Sequence, residues 1–345
     1  MTRPSEGSSA PLAITPLAVT MGEPAGVGPE ITLKAWAARE REHLPPFFVI
    51  GPPALYADLA RSLRLDIAIA EIATPHEAAS VFAKALPVLP VTLAAPVVAG
   101  TLAPANAAAV MRSIDMACDF ALAGNVSALV TNPIHKRALY DAGLSVPGHT
   151  EYLAERCGGA TPVMMLSCPG LRVVPVTVHD ALRDVPAKLT SAMIAEKGLI
   201  LARALTRDLG LTRPRLAVAG LNPHAGEEGH IGREEIDMIA PAMKLIAAES
   251  DVTLTGPLPP DTMFHAAARA RYDAALCMYH DQALIPIKTI DFERGVNTTL
   301  GLPVVRTSPD HGTALDIAGR GVASALSLIE AIRLAHEIAA NRARA

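Results

Sequence analysis

Short runs of β-branched and other apolar residues alternate with longer alanine-rich stretches of helical periodicity along almost the whole chain, and this alternation constrains the fold most. It argues for a mainly parallel sheet wrapped by helices, an α/β protein. The runs at 17–21, 47–50, 128–131, 173–178, 216–221, 252–255 and 274–278 are predicted strands, and 107–122, 191–209, 234–248 and 323–341 are predicted helices. At 345 residues the chain exceeds the size at which one core usually keeps growing, so two domains or one large α/β unit is expected.

Composition removes several function classes. Half the residues are hydrophobic and 19% charged, which excludes a disordered chain. An aromatic share of 3% and a net charge of −4 provide neither base-stacking platforms nor a basic footprint, so the expected partner is a small molecule and not a nucleic acid. Cys118, Cys157, Cys168 and Cys277 form no CxxC pair and read as reduced core thiols. The first dozen residues carry Pro, Ser and Glu in place of a secretory apolar region and are expected to be a mobile tail. No apolar run approaches the ~18 residues of a spanning helix, which points to a soluble, cytoplasmic protein without a membrane partner.

Unusual residue combinations cluster just after predicted strands, where an open parallel sheet forms its binding crevice. The segment MGEPAGVGPE at 21–30 is a glycine-rich turn into a helix, with Pro29 in the first turn where no amide partner is needed. It has the spacing of neither a Walker loop nor a GxGxxG turn, and it carries an acid, Glu23. A tight turn and a crevice-lining loop both fit it.

Three separate strands each deliver an imidazole at the carboxyl end: His179, His224 and His280. In a parallel sheet those ends share one edge, and neutral imidazoles ligate divalent metals while leaving a position open for substrate. Asp180, Asp261 and Asp281, with Glu227 and Glu228, are nearby carboxylates able to orient such ligands or act as a base. The catalytic base is not legible, and Asp261 or a bound water are the candidates. His43, His76, His135, His230, His265, His311 and His336 lack the strand-end context and are assigned no metal role.

A second set suits an anion. Around His149, Thr150 and Glu151 a helix begins, and Thr150 or a neighbour can cap it with free amides facing a ligand. Lys288, Asn297 and Arg306 follow in low-charge surroundings where a lone cation needs a partner. Together they offer the donors that a phosphorylated hydroxy acid requires.

In order along the chain, the segments MGEPAGVGPEI, VTNPIHKRALYDAG, VPGHTEYLAE, GLNPHAGEEGHIGREE, GPLPPDTMF, MYHDQALIPIK and GVNTTLGLPVVRTSPDHGTALDIAG resemble those of the 4-hydroxythreonine-4-phosphate dehydrogenases of pyridoxine biosynthesis, the PdxA family. The match spans nearly all of the chain beyond the tail. Relatives acting on sugar-acid phosphates such as threonate or erythronate 4-phosphate, or on an aromatic dihydrodiol, share much of it, and phosphate acyltransferases share the fold.

The resemblance implies an isocitrate/isopropylmalate-dehydrogenase-like fold of two α/β domains flanking a central cleft: 13–137 plus 303–345, and 138–302. It also implies a homodimer whose active site lies at the interface. It assigns the divalent metal, Zn, Mg or Co, to His179, His224 and His280, the same three that the strand-end context selects. It assigns substrate contacts to His149, Thr150, Lys288, Asn297 and Arg306. Two positions depart from the family pattern: Ala283 stands where Gly is common and Glu23 where Asp is frequent. The implied reaction is oxidation of 4-phosphooxy-L-threonine by NAD or NADP and decarboxylation to 3-amino-2-oxopropyl phosphate.

Overall fold

A computed structural model describes residues 15–143 and 148–345; the expected N-terminal tail and Pro147 lie outside the described residues. Twelve strands form one sheet: β1 Leu17–Thr20, β2 Phe47–Gly51, β3 Ile69–Glu71, β4 Leu86–Pro90, β5 Leu129–Val130, β6 Val163–Cys168, β7 Leu171–Pro175, β8 Arg215–Ala219, β9 Thr253–Leu258, β10 Ala274–Cys277, β11 Val296–Leu300 and β12 Arg306–Pro309. Their spatial order is β3-β4-β2-β1-β5-β12-β11-β6-β7-β10-β8-β9. Six neighbours in that order come from residues 17–130 and 306–309, and the other six from 163–300.

Within each group most pairings are parallel, as the alternating pattern requires. The centre differs: β12–β11, β11–β6 and β6–β7 are antiparallel. Strands of the parallel groups bury both faces, so β1 and β2 are wholly buried. Helices cover both sides and divide the apolar core in the first group between one cluster around Leu17, Val19, Ile31 and Phe47 and another around Ala18, Phe48, Ile114 and Leu129.

The predicted strands and helices all form, with shifted ends. The helix Ala107–Leu122 has the expected bounds, and Ser191–Arg207 is capped by Thr190, whose side chain accepts from the Met193 amide at 3.2 Å. The helix expected at 234–248 opens instead as a wide π-turn, Glu235–Ile239, before continuing as Ala240–Glu249. Pro241 at the junction has no N–H to donate back along the chain, and the wider turn accommodates its ring.

Segment 21–28 is a tight buried turn. Gly22 has φ +70, and a Cβ there would lie 2.7 Å from Asn132 Cβ, so only glycine permits this approach. Glu23 is buried and its carboxyl accepts from the Ala25 amide at 3.1 Å; burial pushes its pKa up. Pro29 sits in the first turn of the helix Gly28–Ala37, as the sequence predicts. All four cysteines are free; burial raises the half-buried Cys157 and the buried Cys168 thiols to about 12 and about 11, which leaves them protonated and unreactive at neutral pH. Among the described residues no helix is long and apolar enough to cross a membrane.

Candidate active site

The strands β7, β10 and β8 that precede the three histidines are direct neighbours and mutually parallel, so their carboxyl ends open on one edge. That edge is braced. Thr177 donates to the Met278 carbonyl at 2.9 Å, joining the chain beyond β7 to that beyond β10. Gln282, nearly buried, accepts from the Met278 amide and donates to the Gly220 carbonyl, both at 2.7 Å, joining β10 to β8. Lys197 donates to the Val176 carbonyl, three residues before His179.

His179 and His280 come together, with ring centroids 6.4 Å apart. His280 opens the helix His280–Ile290, and its Nδ1 lies 2.7 Å from Asp281 Oδ1, which fixes the ring and leaves Nε2 available. His224 starts a run of five left-handed residues through Glu228, with φ between 45° and 79°. Four of these are not glycine, a costly backbone state held here by neighbouring contacts. Glu235 supplies them: its carboxylate accepts from the Leu221 and Asn222 amides at 2.8 and 2.7 Å. His224 is exposed on this loop, and among the described residues no three His, Cys, Asp or Glu side chains of one chain converge to hold a metal ion.

The anion set does converge. Lys288, Asn297, Arg306 and His149 line one cleft of about 410 Å³, together with Thr131, Lys136, Ser308, Asp310 and His311. Pairing of β11 with β12 sets Asn297 opposite Ser308, and side chains alternate, so Asn297 and Thr299 share a face with Arg306 and Ser308. Arg306 is 4% exposed and has no carboxylate partner among the described residues. Its Nε and Nη2 donate to Thr131 Oγ1 at 3.1 and 2.7 Å, and Nη1 donates to Thr299 Oγ1 at 2.9 Å. Burial lowers its pKa to about 10, with Glu151 opposing the shift. Lys288 Nζ lies 2.8 Å from Asp310 Oδ2.

Three cleft residues present buried polar atoms without a hydrogen-bond partner among the described residues: His149 Nε2, Asn297 Oδ1 and His311 Nε2. Such groups are costly unless a ligand satisfies them. Burial, with Arg306 and Lys136 adding to it, holds His149 well below the usual imidazole range. His311, which the sequence reading set aside, donates from Nδ1 to the Gly312 carbonyl at 2.9 Å. It lies two residues beyond β12, whose polar sequence hides the strand, so its strand-end position was not visible in the sequence.

Thr150 is half-buried in the first turn of the helix His149–Arg156 and does not cap it; the cap position is Gly148, without a side-chain bond. Asp261 is not among the cleft residues. It sits exposed on the turn Pro260–Thr262, in an apolar groove shared with Phe264, Tyr279, Asp281 and Ile285. Tyr279 and Asp281 flank His280 in the chain, so Asp261 belongs to the histidine end.

This architecture has known counterparts. Residues 43–335 match the family model of the pyridoxal phosphate biosynthetic protein PdxA. A 4-hydroxythreonine-4-phosphate dehydrogenase of Caulobacter vibrioides is 53% identical over 333 residues, which is 95% of this chain and 98% of that protein. The crystal structure of a 4-hydroxythreonine-4-phosphate dehydrogenase from Klebsiella pneumoniae superposes with a TM-score of 0.83 at 39% identity, covering 94% of this chain and 99% of that one. A terephthalate 1,2-cis-dihydrodiol dehydrogenase from Burkholderia xenovorans is more distant, with a TM-score of 0.65 at 26% identity over 93% of this chain and 97% of its own. The isocitrate/isopropylmalate-dehydrogenase-like fold, the family model and relatives covered end to end agree, and the chain belongs to the PdxA family of pyridoxal phosphate biosynthetic proteins.

Proposed function

We propose that the chain uses NAD or NADP to oxidise the C3 hydroxyl of 4-phosphooxy-L-threonine to a β-keto acid, which loses carbon dioxide to give 3-amino-2-oxopropyl phosphate. Membership of the family makes it an oxidoreductase of pyridoxal phosphate biosynthesis. The observation that carries the substrate reading is Arg306: a buried guanidinium with no carboxylate ion-paired to it among the described residues, facing a cleft that also holds Lys288 and the orphaned His149 and Asn297 atoms. A buried cation in that state is stabilised by an anionic ligand. In this reading Arg306 and Lys288 grip the phosphoryl group, and Asn297 Oδ1 accepts from a substrate donor.

The donor chemistry at the other end fits a divalent metal, because His179 and His280 are close and the Asp281 carboxylate holds the His280 tautomer. His179, His224 and His280 are the proposed ligands, with His224 brought from a second copy of the chain. A divalent metal held there, Zn, Mg or Co, would supply Lewis acidity to the reacting end of the substrate. The chain's own part is to position: the braces at Thr177, Gln282 and Lys197 hold the histidine-bearing ends, while the cleft fixes the phosphorylated end of the substrate. His149, held neutral, contributes a hydrogen bond without adding a competing charge.

A homodimer with a shared site is part of the same proposal. It is supported by the exposed position of His224, by the lack of a three-ligand group within one chain among the described residues, and by exposed apolar side chains, Leu182, Ile285 and Phe292, in the same half of the chain. The grouping of six strands on each side of the β12–β11 pairing supports domains of 13–137 plus 303–345 and 138–302. A cytoplasmic location is proposed with them.

One assay tests the reading: growth of reduced-nicotinamide absorbance with NAD or NADP over 4-phosphooxy-threonine, threonate and erythronate 4-phosphates and a dihydrodiol. Turnover fastest on 4-phosphooxy-threonine supports it. Preference for another member, or acyl transfer to phosphate without nicotinamide reduction, overturns it.

A further inference from the structure

We propose that Lys136 is a third cationic ligand of the substrate's phosphoryl group, reaching into the cleft from its mouth. The proposal rests on the reading of the cleft as the phosphate seat. Lys136 opens the helix Lys136–Asp141, one short loop beyond β5, and lines the same cleft as Lys288 and Arg306. Thr131, which anchors Arg306, is the residue just beyond β5. Both groups are therefore carried by the same few residues of chain.

The charge balance of the cleft favours this role. Arg306 spends three N–H groups on the Thr131 and Thr299 hydroxyls, and Lys288 is paired with Asp310. Lys136 has no ion-pair partner among the described residues. With Lys136 the formally charged lining, three cations and one carboxylate, is net +2; without it, net +1. A phosphoryl monoester carries roughly −1.5 to −2 at neutral pH, so Lys136 brings the lining closer to it, while Glu151 beside Lys136 draws the balance down by one.

The ammonium also has room to act. It faces Gly148, where an added Cβ would lie 3.7 Å from Lys136 Nζ and 2.9 Å from Glu151 Oε2. Glycine at 148 keeps a side chain out of the gap between lysine and glutamate. Glu151 is the acid on that side, Arg306 and Lys288 are the cations facing it from β12 and the helix His280–Ile290, and Asp310 faces from beyond β12. The presence of Lys136 is felt by His149, whose ionisation it helps suppress.

The test compares Lys136→Met, Lys136→Arg and Lys288→Met by calorimetric binding of inorganic phosphate and by kcat/KM on the phosphorylated substrate and its dephosphorylated counterpart. Loss of one charged hydrogen bond predicts a roughly ten- to hundredfold fall in both phosphate affinity and kcat/KM for Lys136→Met. Lys136→Arg recovers part of the loss, and the fall in kcat/KM is greater for the phosphorylated substrate than for its dephosphorylated counterpart. Wild-type phosphate binding in Lys136→Met, with binding lost in Lys288→Met, removes Lys136 and leaves the cleft reading standing. Wild-type phosphate binding in both variants removes the cleft reading together with the proposal.

Discussion

Arg306 donates through two of its nitrogens, Nε and Nη2, to the single hydroxyl of Thr131 at 3.1 and 2.7 Å, tying β12 to the end of β5 beneath the cleft. Thr131→Val keeps the side-chain shape and removes the acceptor. The guanidinium, buried and charged, then lacks two of its three bonds, at a cost of about 1.5–3 kcal/mol in stability. Urea denaturation measures this. The substrate KM rises as well, because Arg306 no longer has a fixed orientation. Unchanged stability and KM would show that another group holds the arginine.

Lys288→Ala and Arg306→Ala weaken substrate binding far more than nicotinamide binding, since both side chains line the anion cleft. Each lost charged hydrogen bond is worth about 1.5–3 kcal/mol. Titrating substrate and cofactor separately into each variant separates the two effects, and equal losses for both ligands contradict the assignment.

His179→Ala, His224→Ala and His280→Ala each abolish metal-dependent turnover while circular dichroism stays close to wild type, because exposed or half-exposed imidazoles fill no core. Metal analysis and activity are the measurements. Mixing inactive His224→Ala with inactive His280→Ala subunits restores some turnover if the site is shared, since one of the two composite sites is then intact. Verified heterodimers without any recovered activity refute sharing.

Burial and the neighbouring Arg306 and Lys136 charges depress the ionisation of His149 below its ordinary 6.5. The unfolded chain therefore takes up a proton there at higher pH than the folded one. The stability contributed is complete above the unfolded value and is lost as pH falls below it toward the folded value. Urea unfolding of wild type and His149→Gln between about pH 8 and pH 5 shows wild type losing more stability toward acid. Parallel curves mean that His149 is not held neutral.

Legibility followed chemistry. Strands built from apolar runs, such as β1, β2, β8 and β10, were visible because burial of both faces leaves an unbroken hydrophobic string. The strands β11 and β12, VNTTL and RTSP, were not, since their polar side chains line the cleft or bond inside the core and erase that string. β4 was hidden by its two prolines, and β6 by its methionines, which carry little β signal. His149, Lys288, Asn297 and Arg306, which line one cleft, stood out as a polar set in the sequence. What could not be read was that His311 and Lys136 join them, because that depends on how loops cross after β12 and β5.

The single sheet also dictates how the molecule can move. The two groups of six strands share the β11–β12 ladder and are not joined by a flexible linker alone. Any closing of one group on the other is therefore a change of twist along that seam, a torsion of the sheet and not a free hinge. Asn297 and Arg306 stand on opposite sides of the seam, so a ligand touching both acts as a rivet across it. Occupancy of the cleft should register as slower amide exchange along β11 and β12.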